Sequence, residues 1–464
     1  MSPAGAPRAL VYGLAVSGEA VAIALQRHGY ELVIADDSVT LAKQQIADGL
    51  GVELIATPSA SEIGRVVERC EMLCPAPGVP ETHAAVVAAL AAGVPVVSEI
   101  DLAYEWEQQR PGGARPILAV TGTDGKTTTT LLAAAMVTTA GRRAAAVGNT
   151  ELPFVAALDS DAEVFVVECS SFRLNWLRSF RAEASVWLNL AEDHQNWHTS
   201  MASYEAAKSQ IWAHLRATDV AVGFARDAVV MRNLTAVESR AMTRTFGSPD
   251  ADYRLDGDSL TGPGGSFGST REMNRTLPHD ITNALAAAAL TLETGLADAA
   301  AIRTTLANFR HPPHRIEPLG EHRGAQWFND SKATTPHAAL TAIRGFRHIV
   351  LLAGGRNKGL DLASLASEHD RIDAVVALGE SAPIVAAAFD GLCPVTTATT
   401  MTEAVEQAAA AVRPGGVVLL SPACASYDWY PDGGYPARGE DFRRLVSRHF
   451  ASASGRAAHE GDAR

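Results

Sequence analysis

The sequence predicts an α/β protein of three domains built on mainly parallel sheets. Its 464 residues correspond to about three domains at roughly 150 residues each. Short apolar runs alternate with helical segments along the chain, which is the pattern of βαβ units. Two proline-rich breaks, at 110–116 and 310–315, divide this alternation into three stretches. We therefore expect domains over residues 1–112, 113–311 and 312–464.

The composition excludes several classes of protein. Hydrophobic residues make up 47% and charged residues 20%, the balance of a globular chain. A net charge of −13 disfavours a binder of duplex nucleic acid, and no apolar run is long enough for a membrane-spanning helix. The five cysteines are scattered without a CxxC pair, and the N-terminus lacks a signal-peptide pattern. We expect a cytoplasmic protein with reduced thiols.

The first domain opens as strand, turn, helix and strand. The runs LVYGL and ELVIADD flank a turn at Ala15–Gly18 and an apolar helical stretch, and VPVVSEI is expected to add a further strand. The turn is not GxGxxG, which weakens a dinucleotide-binding interpretation.

The second domain begins with a strand, ILAV, followed at once by TGTDGKTTTT. A glycine-rich turn at a helix N-terminus directs backbone N–H groups toward a phosphate. Lys126 would reach the β- and γ-phosphates, and the Thr127 hydroxyl suits Mg²⁺. Because Val120 stands where the full P-loop motif has glycine, the match consists of GKT and its strand–helix context.

Later strands of this domain also end in polar residues. Glu168 ends the strand VFVVE, at the edge where α/β sheets bind ligands, so it is either a metal ligand or a solvated glutamate. The strand in LNLAEDH leads to His194, and His198 follows four residues later. The glutamate of HExxH is missing, which disfavours a zinc protease.

Only five of the 39 basic residues are lysines, and arginine supplies the rest: Lys43, Lys126, Lys208, Lys332 and Lys358. The few lysines therefore indicate sites that need a compact or titratable amine. Four lie in the phosphate loop, at strand ends or near candidate metal ligands, whereas Lys43 has no motif around it. We expect arginine to be damaging at those four positions and tolerated at Lys43, within about 0.5 kcal/mol of stability, as at an ordinary surface position.

Eight segments resemble the Mur ligase family, in family order: TGTDGKTT, VECSSFRL, LNLAEDH, YEAAK, HPPHRIE, FNDSKATT, LAGGRNKG and SPACASYD. The resemblance spans nearly the whole chain and implies an ATP-dependent ligase. It implies a Rossmann-like N-terminal domain for a UDP-sugar, a central P-loop ATPase-type domain, and a C-terminal doubly wound Rossmann-like domain for the incoming amino acid. SPACAS and FNDSKAT most resemble members that add D-glutamate to UDP-N-acetylmuramoyl-L-alanine in peptidoglycan precursor synthesis.

The resemblance also implies which residues bind ATP and two Mg²⁺ ions. The loop residues expected on the phosphates are Gly122, Thr123, Asp124, Gly125, Lys126, Thr127 and Thr128. The residues expected on the rest of the nucleotide are Asp280 and Asn283 on adenine, Asp330 on ribose, and Arg315 and Lys332 on phosphate. The expected metal ligands are Thr127 with Glu168 at one site and His194 with a carbamylated Lys208 at the other. The expected catalytic set is Lys126, Glu168, His194, Lys208 and Lys332.

Further positions are implied for the two other substrates. For the UDP-sugar they are Val16 and Ser17 on the diphosphate, Asp36 and Asp37 on uracil, and Asn149 and His194 near the reacting end. For D-glutamate they are Thr334, Lys358, Ser426, Tyr435 and the backbone near Tyr427. Asp280 replaces an asparagine of the family's HNxxN segment, so it can only accept from adenine.

Other functions explain less of the sequence. A diaminopimelate-adding sister ligase would carry a DNPR segment, which is missing, and the folate-polyglutamylating relative generally lacks the UDP-sugar domain. A nicotinamide dehydrogenase leaves TGTDGKTT unexplained, and a nucleotide-binding switch has no use for SPACAS.

Overall fold

A computed structural model describes residues 5–195 and 197–461, with side chains up to residue 451. The chain divides into two compact units. One unit contains the residues up to Leu190 together with His194–Phe309, and the other contains Ala191–Asp193 together with the residues from Arg310 onward. Among the described helices, none has both the length and the apolar character needed to cross a bilayer.

The first unit opens with a four-stranded parallel sheet in the order β3-β2-β1-β4. Its strands are β1 (Arg8–Tyr12), β2 (Glu31–Asp36), β3 (Leu54–Ala56) and β4 (Met72–Pro75). Its helices are α1 (Val16–Arg27), α2 (Leu41–Leu50), α3 (Ala60–Val67), α4 (Ala84–Ala92) and α5 (Glu99–Gln108).

The strand expected at VPVVSEI is wrong. Val96 forms only an isolated bridge to Leu73. Pro95 has no N–H to donate to a ladder, and Ser98 is already the N-cap residue of α5.

The same unit contains a six-stranded parallel sheet in the order β10-β9-β8-β5-β7-β6, and a small antiparallel sheet, β11-β12-β13. The strands are β5 (Ile117–Thr121), β6 (Ala144–Gly148), β7 (Val164–Glu168), β8 (Ala184–Trp187), β9 (Val220–Phe224), β10 (Met242–Phe246), β11 (Arg254–Asp256), β12 (Ser259–Gly262) and β13 (Gly265–Ser269). The helices are α6 (Lys126–Thr139), α7 (Phe154–Ala157), α8 (Ser171–Leu174), α9 (Met201–Ser209), α10 (Ala228–Thr235), α11 (Pro278–Glu293) and α12 (Ala299–Asn308), with 3₁₀ turns at Gln210–Trp212 and Thr270–Glu272.

Both faces of this sheet are buried. Along β5, Ile117 and Ala119 belong to one apolar cluster, and Leu118 and Val120 belong to the cluster on the opposite face. A strand covered on both sides reads as a continuous apolar run, as ILAV does. Ligand-binding groups must therefore lie beyond the strand ends, at the edge where β5, β7 and β8 lead into loops.

The second unit contains a six-stranded sheet in the order β14-β15-β19-β16-β17-β18, in which the pair β14–β15 is antiparallel and the other pairs are parallel. The strands are β14 (Glu317–His322), β15 (Ala325–Asn329), β16 (Ile349–Gly354), β17 (Ile372–Leu378), β18 (Val395–Ala398) and β19 (Val417–Leu420). The helices are α13 (Pro336–Ile343), α14 (Ala382–Ala388), α15 (Met401–Ala411) and α16 (Gly434–Gly461), with a 3₁₀ segment at Leu362–Arg371. The predicted fold class, α/β on mainly parallel sheets, is confirmed, and two parallel sheets in the first unit with a third, mainly parallel sheet in the second are consistent with three domains.

Candidate active site

Two glycines in the loop between β5 and α6 lie so close to neighbouring residues that a side chain would not fit. Gly125, the N-cap residue of α6, has φ 84°, and a Cβ there would lie 2.7 Å from Asn283 Oδ1. A Cβ on Gly122, at φ 156°, would lie 2.9 Å from Leu188 Cβ. Both contacts require glycine, so the strand–glycine–helix arrangement that suits a phosphate is built into the packing.

Asn189, two residues after β8, holds this loop in shape. Its Oδ1 accepts hydrogen bonds from the backbone N–H groups of Thr123 and Asp124, each at 2.9 Å. Its Nδ2 donates to the Asp124 carbonyl at 3.2 Å. Sequence reasoning missed Asn189, although its place in LNLAEDH directly after a strand was a usable signal.

Two of the five lysines converge on the same loop. Lys126 Nζ donates to the carbonyls of Gly122 (2.8 Å) and Thr123 (2.7 Å). Lys208 Nζ donates to the Gly122 carbonyl at 2.7 Å and lies 4.7 Å from the centre of the Tyr204 ring. Lys208 is 1% exposed, because α9 turns it inward together with Tyr204. The loop therefore concentrates positive charge where phosphates would lie.

Glu168 has a buried carboxylate of which one oxygen is hydrogen-bonded. It ends β7, and its Oε1 accepts a hydrogen bond from Asn149 Nδ2 at 3.0 Å. Its Oε2 is buried and has no hydrogen-bond partner among the described atoms. A buried carboxylate oxygen left unpaired is costly, and a cation would satisfy it. Glu168 Oε2 therefore suits a divalent cation, and Thr127, the other ligand expected from the sequence, lies in the first turn of α6.

Such a metal would not be held by protein carboxylates and imidazoles alone. Among the described residues, no three His, Cys, Asp or Glu side chains group as a metal site. A cation held here by Glu168 would take its other ligands from hydroxyl groups, water or the oxygens of a bound phosphate.

The two histidines of the 194–198 segment have different surroundings. His194 adopts a left-handed backbone, φ 58°, and its ring contacts Phe172 with centroids 4.5 Å apart. His198 is buried, its Nε2 lies 2.9 Å from Ser171 Oγ, and burial lowers its pKa to about 4. His198 is therefore a neutral packed ring, whereas His194 is partly exposed.

The residues expected near adenine lie at the start of α11. Asp280 is 2% exposed, and its two oxygens accept from Arg275 Nε and Nη2, each at 2.7 Å. Its Oδ2 also accepts from Leu277 N–H at 3.2 Å. Asn283 Oδ1 accepts from Thr129 Oγ1 at 3.3 Å, which joins α11 to α6. The Asp280 carboxylate is thus engaged in a partly buried ion pair with Arg275 that the sequence did not reveal.

The turn before α1 is tight. A Cβ on Gly18 would lie 1.9 Å from the Gly13 carbonyl oxygen, so the start of the helix packs directly on the turn. Val16 is 66% exposed and Ser17 is buried, and Ala15 gives the helix no side-chain cap. An uncapped N-terminus with an exposed first residue suits an anion.

Asp36 and Asp37 do not have equivalent roles. Asp36 is buried, and it accepts from Leu14 N–H (2.7 Å), Ser38 N–H (2.9 Å) and Lys43 Nζ (2.7 Å). Burial raises its pKa, but these three hydrogen bonds, that of Lys43 foremost, outweigh burial and hold the pKa below its usual value.

Asp37 is the acid that remains accessible. Its side chain is 58% exposed, it accepts from Tyr12 OH at 2.6 Å, and it lies 3.2 Å from His83 Nε2. The expectation that Lys43 lies on an ordinary surface is wrong, because its ammonium forms a partly buried ion pair with Asp36 that local sequence does not show.

In the second unit, the turn after β15 carries three predicted residues. Asp330 is buried and accepts from Ser421 Oγ (2.7 Å) and Ile316 N–H (3.2 Å). Lys332 Nζ lies 3.8 Å from the centre of the Tyr435 ring. Thr334 is half-buried, and Arg315 lies between two residues with left-handed backbone, His314 and Ile316.

The turns after β16 and β19 meet within the same unit. A Cβ on Gly355 would lie 2.3 Å from the Ala425 carbonyl oxygen, so the two loops are in direct backbone contact. Ser426 is 1% exposed, and its hydroxyl has no hydrogen-bond partner among the described atoms. Lys358 and Tyr427 are exposed.

Arg438 ties two of these turns together, and sequence reasoning missed it. The side chain is buried and donates to Ser331 Oγ (2.9 Å), the Ser331 carbonyl (2.8 Å) and the Cys424 carbonyl (3.0 Å). Burial lowers its pKa to about 10, so it stays charged at neutral pH. It stabilises the FNDSKAT and SPACAS turns against each other.

Comparison with known proteins gives concordant matches. Residues 120–291 match the Mur ligase middle domain, and residues 314–424 match the Mur ligase glutamate ligase domain. The UDP-N-acetylmuramoylalanine--D-glutamate ligase of Frankia casuarinae is 39% identical, covering 96% of this chain and 95% of the relative. The ligase of the same name from Thermobifida fusca is 35% identical, and the match covers 95% of this chain and 98% of the relative.

Solved structures show the same fold. UDP-N-acetylmuramate-alanine ligase MurC from Thermotoga maritima superposes with a TM-score of 0.58 at 19% identity, covering 97% of this chain and 100% of that chain. MurF from Acinetobacter baumannii superposes with a TM-score of 0.59 at 14% identity, covering 94% of this chain and 90% of that chain. With two domain matches and relatives aligned over nearly its whole length, the chain belongs to the Mur ligase family.

Proposed function

We propose that the protein joins D-glutamate to UDP-N-acetylmuramoyl-L-alanine, with ATP cleaved to ADP and phosphate, in cytoplasmic peptidoglycan precursor synthesis. The observation that carries the proposal is the phosphate loop, on which Lys126 and Lys208 converge. Glu168 ends β7, the strand paired with β5 before this loop, and its Oε2 has no hydrogen-bond partner among the described atoms. The names of the relatives support the choice of substrates. The proposal keeps three domains, over residues 1–112, 113–311 and 312–464.

The reaction has two steps. A carboxylate oxygen of the L-alanyl group attacks the γ-phosphorus of ATP, the bond to the β-phosphate oxygen breaks, and ADP leaves with that electron pair. The amine of D-glutamate then attacks the acyl carbon of the acyl phosphate and loses a proton, and phosphate leaves. Lys126, which donates to loop carbonyls in this structure, would turn its ammonium to the β- and γ-phosphates and offset their charge.

Two Mg²⁺ sites complete the proposal. Thr127 and Glu168 Oε2 would hold one ion, and His194 and Lys208 the other, with Lys208 as a carbamate. Carbamylation joins the neutral amine to CO₂ and releases a proton, which turns a buried cation into a carboxylate-like ligand that arginine cannot supply. Bound Mg²⁺ supplies charge neutralisation on the transferring phosphoryl group.

The remaining contacts of ATP are those implied by the resemblance to the Mur ligase family. Gly122, Thr123, Asp124, Gly125 and Thr128 would bind the phosphates with Lys126. Asn283 would face adenine, and Asp280, engaged by Arg275, would support that region by holding the start of α11. Asp330 would bind the ribose, and Arg315 and Lys332 would bind the phosphates.

The amino-acid and UDP-sugar contacts are those implied by the resemblance to the Mur ligase family, and the exposure of some of these groups supports them. The buried, unpartnered hydroxyl of Ser426 and the exposed ammonium of Lys358 suit the D-glutamate carboxylates, together with Thr334, Tyr435 and the backbone near Tyr427. Val16 and Ser17 would receive the diphosphate. Asp37 would meet uracil, with Asp36 holding the turn, and Asn149 and His194 would lie near the L-alanyl carboxylate.

Phosphate release tests the proposal. Purified protein with ATP and Mg²⁺ should release phosphate only when UDP-N-acetylmuramoyl-L-alanine and D-glutamate are both present. L-Glutamate, L-alanine, L-lysine and diaminopimelate serve as matched amino-acid controls. Equal turnover with L-glutamate or diaminopimelate would contradict the assignment.

A further inference from the structure

Arg173, in α8, is a buried arginine that joins three parts of the first unit. Its Nε lies 3.2 Å from Glu99 Oε2 on α5, and the two side chains are 6% and 3% exposed. Its Nη1 donates to Asn149 Oδ1, in the loop after β6, at 2.6 Å. Its Nη2 donates to Ser17 Oγ, in the first turn of α1, at 3.4 Å.

These contacts determine the orientation of the Asn149 amide. A guanidinium only donates and a carboxylate only accepts, so Asn149 must present Oδ1 to Arg173 and Nδ2 to Glu168. The reversed amide would set donor against donor at Arg173 and acceptor against acceptor at Glu168. We call the hydrogen-bonded series Arg173–Asn149–Glu168 the relay. It uses Glu168 Oε1 and leaves Oε2 buried with no partner in the described part of the chain.

We propose that Arg173 is a positioning residue: through Asn149 it holds Glu168 with Oε2 presented to the cation, and through Ser17 it links that carboxylate to the turn that receives the diphosphate. The inference rests on the proposed function, which assigns Glu168 to Mg²⁺ and Ser17 to the UDP-sugar. Partners that orient metal ligands commonly account for a 10–100-fold change in metal affinity.

The link to Ser17 predicts coupling between the two ligands. The hydrogen bond to Ser17 is the longest of the three that Arg173 makes to Glu99, Asn149 and Ser17. A diphosphate oxygen bound next to Ser17 would accept a charge-assisted hydrogen bond from Arg173 Nη2 and so fix the guanidinium, and with it Asn149 and Glu168, in one orientation. UDP-N-acetylmuramoyl-L-alanine should therefore tighten cation binding, and by linkage the cation should tighten binding of the UDP-sugar to the same degree.

The chain offers a matched control for this experiment. Arg115 and Glu107 form a second buried ion pair in the same unit, with side chains 7% and 1% exposed, and Glu107 lies on α5 like Glu99. Arg115 donates to the Leu158 carbonyl and not to Asn149. The test variant is Arg173→Met/Glu99→Gln and the control is Arg115→Met/Glu107→Gln, because removing both charges avoids a buried unpaired carboxylate.

The measurement is Mn²⁺ binding to the ADP complex by electron paramagnetic resonance, with and without UDP-N-acetylmuramoyl-L-alanine. We expect Mn²⁺ to bind about 10-fold more weakly to the test variant, with the tightening by the UDP-sugar lost, and within about twofold of wild type to the control. Arg173→Lys keeps the charge beside Glu99 but not the planar fork, and it carries the same expectation if the double variant does not fold.

Glu168→Gln separates the two levels of the proposal. If it weakens Mn²⁺ binding but both Arg173 variants bind Mn²⁺ as wild type does, the role of Arg173 is refuted and the metal assignment stands. If Glu168→Gln itself binds Mn²⁺ normally, the metal assignment is wrong and the inference fails with it.

Discussion

Replacing Lys43 with methionine should destabilise the first unit and weaken binding of the UDP-sugar. The ion pair with Asp36 is 2.7 Å long, and the two side chains are 21% and 7% exposed, so solvent screens it little. A hydrogen bond to a charged group in such a place contributes about 1.5–3 kcal/mol. Two backbone N–H groups still bind Asp36 in the variant, so we expect a loss of about 2 kcal/mol.

The pH dependence has a defined sign. The pKa of Asp36 is lowered in the folded protein, so its stabilisation is fully present above the ordinary carboxyl pKa, about 4, and is lost as the pH falls through the lower folded-state value. The difference between wild type and Lys43→Met should therefore be largest at pH 7 and shrink below about pH 4.

Urea denaturation followed by circular dichroism, at pH 7 and below about pH 4, measures the difference in the free energy of unfolding between wild type and Lys43→Met. Phosphate-release assays give the KM for the UDP-sugar. Arg27→Met is the control, because the Arg27–Asp159 ion pair is exposed (68% and 79%) and should contribute less than about 1 kcal/mol. Lys43→Arg should lose about 1 kcal/mol, since the charge stays but the second contact, with the Ser38 carbonyl, is disturbed. A Lys43→Met protein as stable as wild type at pH 7, or a difference that persists in acid, would refute the reasoning.

Three further predictions concern the proposed sites. Lys208→Ala should lose most activity and regain part of it with added acetate, which can take the place of the carbamate; failure of acetate to restore phosphate release would argue against carbamylation. Ser426→Ala should raise the KM for D-glutamate and leave the thermal midpoint unchanged, because the hydroxyl makes no hydrogen bond to described atoms, and an unaltered KM would remove Ser426 from the site. Gly355→Ala should lower the thermal midpoint, because the added Cβ would lie 2.3 Å from the Ala425 carbonyl oxygen. The control Gly64→Ala should not lower it, because the space around that Cβ is open, and equal midpoints for the two variants would contradict the packing argument.

The phosphate loop shows how far local sequence reaches. A buried strand, a glycine turn and a helix start follow one another within a few residues, so TGTDGKT predicts the loop and its chemistry together. The order of motifs likewise predicts three α/β domains and the family, since each motif is a short segment whose identity does not depend on distant residues. The failure at VPVVSEI has a local cause as well, because Pro95 and the start of α5 interrupt an apolar run that resembles a strand.

The partners of the site residues depend on tertiary structure instead. Asn189, Arg173 and Arg438 act through groups brought together by separate strands and helices, and nothing in their own segments indicates those partners. The ion pair of Lys43 with Asp36 also depends on the three-dimensional course of the turn between β2 and α2. Residue types and spacing along the chain determine which groups can bind phosphate, metal or carboxylate. Only the packed sheets decide which of those groups are already hydrogen-bonded, such as Asp280, and which keep an oxygen for a ligand, such as Glu168, because a hydrogen bond depends on distance and direction in three dimensions.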